Sequence, residues 1–460
     1  MTIVGGGYME RELSNKALAG DALGQFSLNI ATGLLGIITY YYTDIVGVSA
    51  GLVGTIMLLT KVLDALADIG MGVLVDRTRS RHGQARPWLL WMTVPLFASI
   101  LLLFCVPDMS SSAKIAYAVA TNLVFFIFVL TPISIPYLSL MALTTKSPLD
   151  RSLMGLYRAG FGYLAGMVVA IGFVPIVNAM GGGRSEWTLL AAVFGAIAAA
   201  GIYIAFRSTK EKYSTIQMKE SGEVQKTLPF RTGIKLLFSN RYWLIVVSAG
   251  LLANILFASS ATSGMYYAKY IWGDVNLVSI MGGIGLIPVL VVFLLSGPVM
   301  KRLGKRNTAV LGLGIGLLGL LIRLIDPNSI PIGLVGSLIQ AFGMIPLMVV
   351  LSPMTADTIE YGEWKHGQRI VGLTNSVNGF GGKIGTALGT ALIGWLLAWG
   401  HYQEGAAVQP ESAKQMIIAF NIYVPIVIYI GIGVLLMFFS LEKQYTKILD
   451  DLENKKEQIG

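Results

Sequence analysis

Apolar runs long enough to cross a bilayer recur twelve times along this chain. No other feature restricts its fold so strongly, because each crossing takes about 20 residues of helix. The runs are 17–42, 50–75, 88–106, 115–143, 153–180, 187–206, 243–271, 278–300, 309–324, 332–354, 371–399 and 416–439. Composition agrees: 54% of the residues are hydrophobic and 13% charged, against about 25% charged in a soluble domain. An all-α membrane protein of twelve transmembrane helices is expected.

The remaining charges are sorted along the chain. A net charge of +9 would suit nucleic acid, but Lys and Arg cluster in short loops. Arg77, Arg79, Arg81 and Arg86 follow the second run, Lys146 and Arg151 the fourth, and a series from Arg207 to Lys235 the sixth. Lys301, Arg302, Lys305 and Arg306 follow the eighth, Lys365 and Arg369 the tenth, while the intervening loops hold little more than Arg184. This positive-inside pattern puts both termini in the cytoplasm of a bacterial plasma membrane and argues against a nucleic-acid partner. Met1 to Lys16 offers no cleavable leader. The expected organisation is a six-helix bundle over 1–207, a cytoplasmic middle loop over 208–240, a second six-helix bundle over 241–440 and a cytoplasmic tail over 441–460.

Charge inside a membrane marks function by default. Lys61, Asp64 and Asp68 share one helix face in the second run, and at about 1.5 Å per residue Asp64 lies about 21 Å into its helix. The face reads as a coupling site for a small cation, or as a structural ion pair with Lys61 or Lys383. Lys383 stands in the glycine-rich stretch Asn375-Ser-Val-Asn378-Gly-Phe-Gly-Gly-Lys383, whose small residues also suit close helix packing. Asp357, Glu360 and Glu363, ending the tenth run, are solvated loop charges or, with Arg151, an inner gate.

Two turns repeat between the halves: Gly72-Val-Leu-Val-Asp76-Arg77 closes the second run and Gly297-Pro-Val-Met-Lys301-Arg302-Leu-Gly304-Lys305-Arg306 the eighth. They resemble the signature of the major facilitator superfamily, which implies two bundles with a midplane site and alternating access. A narrower resemblance rests on Tyr40-Tyr-Tyr-Thr-Asp44, Lys61 to Asp68, Ser80 to Trp88, Ile135-Pro136-Tyr137-Leu-Ser139 and Glu360 to Arg369. Together these are similar to the glycoside, pentoside and hexuronide cation symporters, the relatives of melibiose permease. That resemblance implies import of a sugar, glycoside or sugar acid with sodium or a proton.

Residue by residue, the resemblance implies a cation site at Asp64 and Asp68 assisted by Thr131, with Lys61 and Lys383 in coupling. Ala67 stands where the family has an amide, and Ser134 where it has a sugar-binding acid. On the substrate side it implies Arg158 and Lys383, while Leu28 replaces the acid of the first run, with Gln25 and Asn29 nearby. Tyr137, after Pro136, is a platform for a sugar face or a core residue, and Asn378 joins the substrate set. The missing oxygens favour a proton over sodium, which has to replace its water with several ligands.

Absences narrow the reading. Cys105 is the single cysteine and is expected in the apolar core. His82, His366 and His401 fall in expected loops, so no metal or cofactor site is expected beyond a co-transported ion. No P-loop is present. Neither an enzyme nor a channel fits as well as a monomeric secondary transporter. A transporter-like sensor or lipid-handling carrier is the alternative, since fold alone does not fix function.

Overall fold

A computed structural model describes residues 13–145, 147–212, 230–368 and 370–457. Lys146, Arg369 and the part of the expected middle loop that holds Lys219 and Lys226 lie outside the described residues. Among those described, every element is helical apart from one isolated bridge between Ser80 and Gly83. That outcome is what lipid demands, since a helix satisfies its backbone polar groups internally.

Among the described residues, eleven helices are long and apolar enough to span a membrane. They are α1 (Asn15–Ile45), α2 (Ala50–Arg77), α3 (Arg86–Phe104), α4 (Ser111–Thr144), α5 (Leu149–Ala179), α6 (Arg184–Ser208), α7 (Arg241–Tyr270), α9 (Lys305–Ile325), α10 (Ile330–His366), α11 (Leu373–Trp399) and α12 (Glu411–Lys443). The expected eighth span, α8, is instead two pieces, Leu277–Ile284 and Leu286–Leu303. The break has a local cause: Gly282, Gly283 and Gly285 weaken the helix by about 1 kcal/mol each, and Pro288 lacks the N–H that would bond back across it. The chain divides into two compact units, residues 1–52 with 59–226 and residues 53–58 with 227–460.

Two other expectations are corrected. Cys105 is exposed, because α3 ends at Phe104 and leaves it as the cap residue. The tenth run continues as helix to His366, so Asp357, Glu360 and Glu363 are helical rather than loop charges. After α12 a further helix, α13 (Tyr445–Glu457), places Ile448 and Leu452 in the core of unit 2.

The repeat between the halves is physical as well as sequential. In unit 1 the Glu211 carboxylate accepts from the backbone N–H groups of Gln84, Ala85 and Arg86 at 2.7, 2.9 and 2.7 Å, satisfying the open start of α3. The Arg86 side chain donates from Nη2 to Phe206 O at 3.0 Å, at the end of α6. In unit 2 the Glu442 carboxylate accepts from Arg306 N at 2.9 Å, and Arg306 Nε donates to Leu436 O at 2.9 Å. Each carboxylate lies against a glycine, Gly83 (φ +103°) or Gly304 (φ +81°), where a Cβ would strike it.

Candidate functional site

The acidic stripe of α2 meets α4. Thr131 Oγ1 donates to Asp64 Oδ1 at 2.5 Å and lies 3.2 Å from Asp68 Oδ1, so one hydroxyl faces two carboxylates. Asp64 is 5% and Thr131 1% exposed. A π-helical turn, Val124–Leu130, comes immediately before Thr131; its extra residue resets which face of α4 follows. Lys61, one turn before Asp64, is near enough to feel its charge. Ser134 Oγ turns back to Thr131 O at 3.4 Å.

A second cluster joins α1, α4 and α5. Arg158 is 6% exposed, and it donates from Nε to Asp21 Oδ2 at 2.7 Å and from Nη2 to Asp21 Oδ1 at 2.9 Å. Its guanidinium lies 3.9 Å from the centre of the Tyr137 ring. The Tyr137 hydroxyl donates to Asp21 O at 2.8 Å and accepts from Gln25 N at 3.1 Å, while its ring rests where Gly24 has no side chain. Bidentate pairing plus stacking is a geometry that lysine cannot supply. Gln25 and Asn29 continue the stripe: Gln25 Nε2 donates to Asn29 Oδ1 at 2.8 Å, and Asn29 Nδ2 to Gly162 O at 3.0 Å. Arg158, implied by the resemblance as a substrate residue, is thus held by an acid of the first span, Asp21. The signal for Asp21 was present: it is a carboxylate within the first apolar run.

Unit 2 holds a cavity of about 570 Å³ between α7, α10 and α11. Its polar lining is Asn254, Ser352, Thr355, Glu360, Asn375 and Asn378, five neutral side chains that donate or accept hydrogen bonds and one carboxyl group. Of these only Asn378 and Glu360 were singled out from sequence. Asn378 accepts from Trp243 Nε1 at 3.2 Å and donates to Thr355 Oγ1 at 3.3 Å. Lys383, half-buried, lies further along α11.

The expected gate residues have partners within their own units. Arg151 Nε donates to Thr145 O at 2.9 Å. Both oxygens of Asp357, which is 3% exposed, accept from Lys305 Nζ at 2.6 Å. Glu360 accepts from the Tyr445 hydroxyl of α13. Burial first, then the Glu360 and Asp357 carboxylates, push the Tyr445 phenol above its ordinary range, so it remains the donor.

The chain is matched over residues 21–443 by the family described as MFS/sugar transport protein. It is 30% identical to the isoprimeverose transporter of Lactiplantibacillus pentosus, over 95% of this chain and 91% of that protein. It is 31% identical to a putative glycoside/cation symporter, YagG, of Escherichia coli strain K12 (88% and 87%). With the glucuronide carrier protein homolog of the same strain it shares 30% identity over 97% of each. Among solved structures, a bacterial homolog of the human lysosomal transporter Spinster superposes with a TM-score of 0.62 at 12% identity, covering 95% of this chain and 97% of that one. A proton-dependent oligopeptide transporter does so at 0.64 and 11%, covering 94% and 99%. At such identities these structures speak for the fold alone.

Proposed function

The chain belongs to the MFS/sugar transport protein family, and from that premise we propose that it imports a sugar, glycoside or sugar acid together with a cation held by Asp64, Asp68 and Thr131. The observation that carries this reading is the Thr131 hydroxyl lying between two carboxylates inside an apolar helix pair. Such a site is costly to keep charged in hydrocarbon and is relieved by a bound cation, so loading is tied to neutralisation. We assign the cation as a proton in preference to sodium: the side chains offer the oxygens of Asp64, Asp68 and Thr131, fewer than the set that replaces a sodium ion's water, and Ala67 adds none. Lys61 and Lys383 are assigned to charge compensation during the cycle.

On the substrate side, Gln25, Asn29, Ser134 and Tyr137 of unit 1 and Asn378 and Lys383 of unit 2 are assigned to the sugar, with Arg158 holding Tyr137 in place. Alternating access is the mechanism that such paired bundles support. For Arg151 to reach Asp357 or Glu360 as an inner gate, Lys305 and Tyr445 have to release them.

Uptake of labelled glycosides by proteoliposomes tests the reading. A pH gradient in sodium-free buffer is expected to drive accumulation, and a sodium gradient at symmetric pH is not; the reverse result removes the proton assignment. Asp64→Asn and Asp68→Asn are each expected to abolish accumulation while leaving substrate exchange, and gradient-driven uptake by either variant would remove the coupling site. Binding of glycosides without transport by the native chain would favour a sensor.

A further inference from the structure

Unit 2 carries its own buried guanidinium over a tyrosine ring. Arg323, in the last turn of α9, is 3% exposed, and its Cζ stands 5.1 Å from the centre of the Tyr267 ring. Nη1 donates to Gln340 Oε1 at 3.2 Å, and Nη2 donates to Asn421 Oδ1, whose Nδ2 donates on to Ser263 Oγ at 2.7 Å. Both acceptors are neutral amides. Among the described residues no carboxylate forms an ion pair with Arg323; Asp326, three residues on, is exposed and accepts from Asn328 N at 3.0 Å. The partial negative charge of the α9 C-terminus, about half an elementary charge, offsets part of the full charge and no more.

Three buried polar atoms of this region, each able to donate, have no hydrogen-bond partner among the described residues. Arg323 Nε has no hydrogen-bond partner among the described residues, although the same atom of Arg158 is the one that reaches Asp21 Oδ2 in unit 1. Trp272 Nε1 and Ser337 Oγ are likewise buried without one. Trp272 and Arg323 both pack against the face of α10 that carries Gly333, Gly336 and Ser337, spaced i, i+3 and i+4. The Trp272 indole packs where Gly333 has no side chain, and Cγ and Cδ of Arg323 pack where Gly336 has none. Ser337 follows Gly336 and lies one turn from Gly333. The Tyr267 ring borders both neighbours, 5.2 Å from the Trp272 ring and beneath the guanidinium. A Cβ at Gly333 or Gly336 would come within 2.1 or 2.4 Å of these side chains, so the approach depends on glycine.

We propose that Arg323, Trp272 and Ser337 form a binding site for a small monovalent anion of halide size. A full positive charge taken out of water requires an opposite charge or very complete hydrogen bonding, and Arg323 has neutral partners on two of its nitrogens and none on the third. An anion accepts from Nε, the indole N–H and the hydroxyl together, and supplies the charge that Asp21 supplies to Arg158. Cations are repelled by the guanidinium.

The test is thermal unfolding of the purified full-length chain in detergent, titrated with sodium bromide against sodium gluconate at equal ionic strength. The site predicts a saturable rise of the midpoint with bromide. Arg323→Met is expected to abolish that rise, and Trp272→Phe, which keeps the ring and removes the N–H, to weaken bromide about tenfold, the worth of one hydrogen bond. Equal midpoints of the native chain in the two salts, a bromide effect that survives Arg323→Met, or unchanged bromide affinity in Trp272→Phe would each overturn the site. Should Arg323→Met fail to fold, the native chain and Trp272→Phe decide the matter by the same readings.

Discussion

Arg158 in unit 1 and Arg323 in unit 2 are both buried and both lie over a tyrosine ring, yet the first is held by a carboxylate and the second by two amides. The difference teaches where each half gets its neutrality. In unit 1 the compensating charge is covalently part of α1, so the α1–α5 contact is independent of solutes. In unit 2 the hydrogen-bond geometry is built in, but the charge is not.

The comparison is broken most severely by removing Asp21. Asp21→Ala leaves Arg158 buried and unpaired, a loss of about 3–5 kcal/mol, to be read from denaturant unfolding of the purified chain. A loss below about 1 kcal/mol would show that the pair is not what holds α1 to α5. Replacing both partners, Asp21→Leu with Arg158→Met, is expected to recover the stability to within about 2 kcal/mol of the native chain, because both desolvation costs disappear with the charges. A double variant as weak as Asp21→Ala would mean that Tyr137 and Gly24, rather than charge, dominate the contact.

The rings sharpen the same comparison. Tyr137→Phe removes two hydroxyl bonds, to Asp21 O and from Gln25 N, whereas Tyr267→Phe removes one, to Pro327 O at 2.7 Å. Losses of about 2 and about 1 kcal/mol are expected in the same unfolding measurement. Equal losses would mean that the second bond of Tyr137 adds nothing.

The smallest effect belongs to an exposed pair. Asp108 accepts from Arg184 Nη1 at 3.2 Å and lies 3.5 Å from Lys114 Nζ, and these two cations hold its carboxyl below its ordinary range, Arg184 contributing most. A depressed carboxyl stabilises the folded chain above its unfolded value and loses that contribution as pH falls through the folded one. The effect of Asp108→Asn on stability is therefore expected to be small at neutral pH, to fade as pH falls below the ordinary aspartate value of about 4, and to be screened by salt.

How much of this was legible follows from how strong each signal is alone. Twenty apolar residues announce a span by themselves, and the i, i+4 spacing of Asp64 and Asp68 announces a shared face. Thr131 came only through a family resemblance, since a hydroxyl in an apolar run has many ordinary uses. Asp21 and Arg158 were each visible as intramembrane charges, but nothing along the chain says that residues 137 apart meet, and a carboxylate near the start of a run reads as its boundary. Asn254, Ser352, Thr355 and Asn375 were missed because single neutral polar residues stand out only once a cavity collects them. The break in α8 could have been read from Gly282, Gly283, Gly285 and Pro288; a count of apolar residues hid it.

The paired clamps at Glu211 and Glu442 have a consequence for how the protein is made. The start of α3 is satisfied by a residue 125 positions downstream of Arg86, and the start of α9 by one 136 positions downstream of Arg306. Synthesis runs from the N-terminus, so α3 enters the membrane with its first amide groups bare and remains so until the sixth span has followed it. Each bundle is thus sealed by its last residues, and a ribosome that stalls before Glu211 or Glu442 leaves five or more helices inserted with their closing contact unmade.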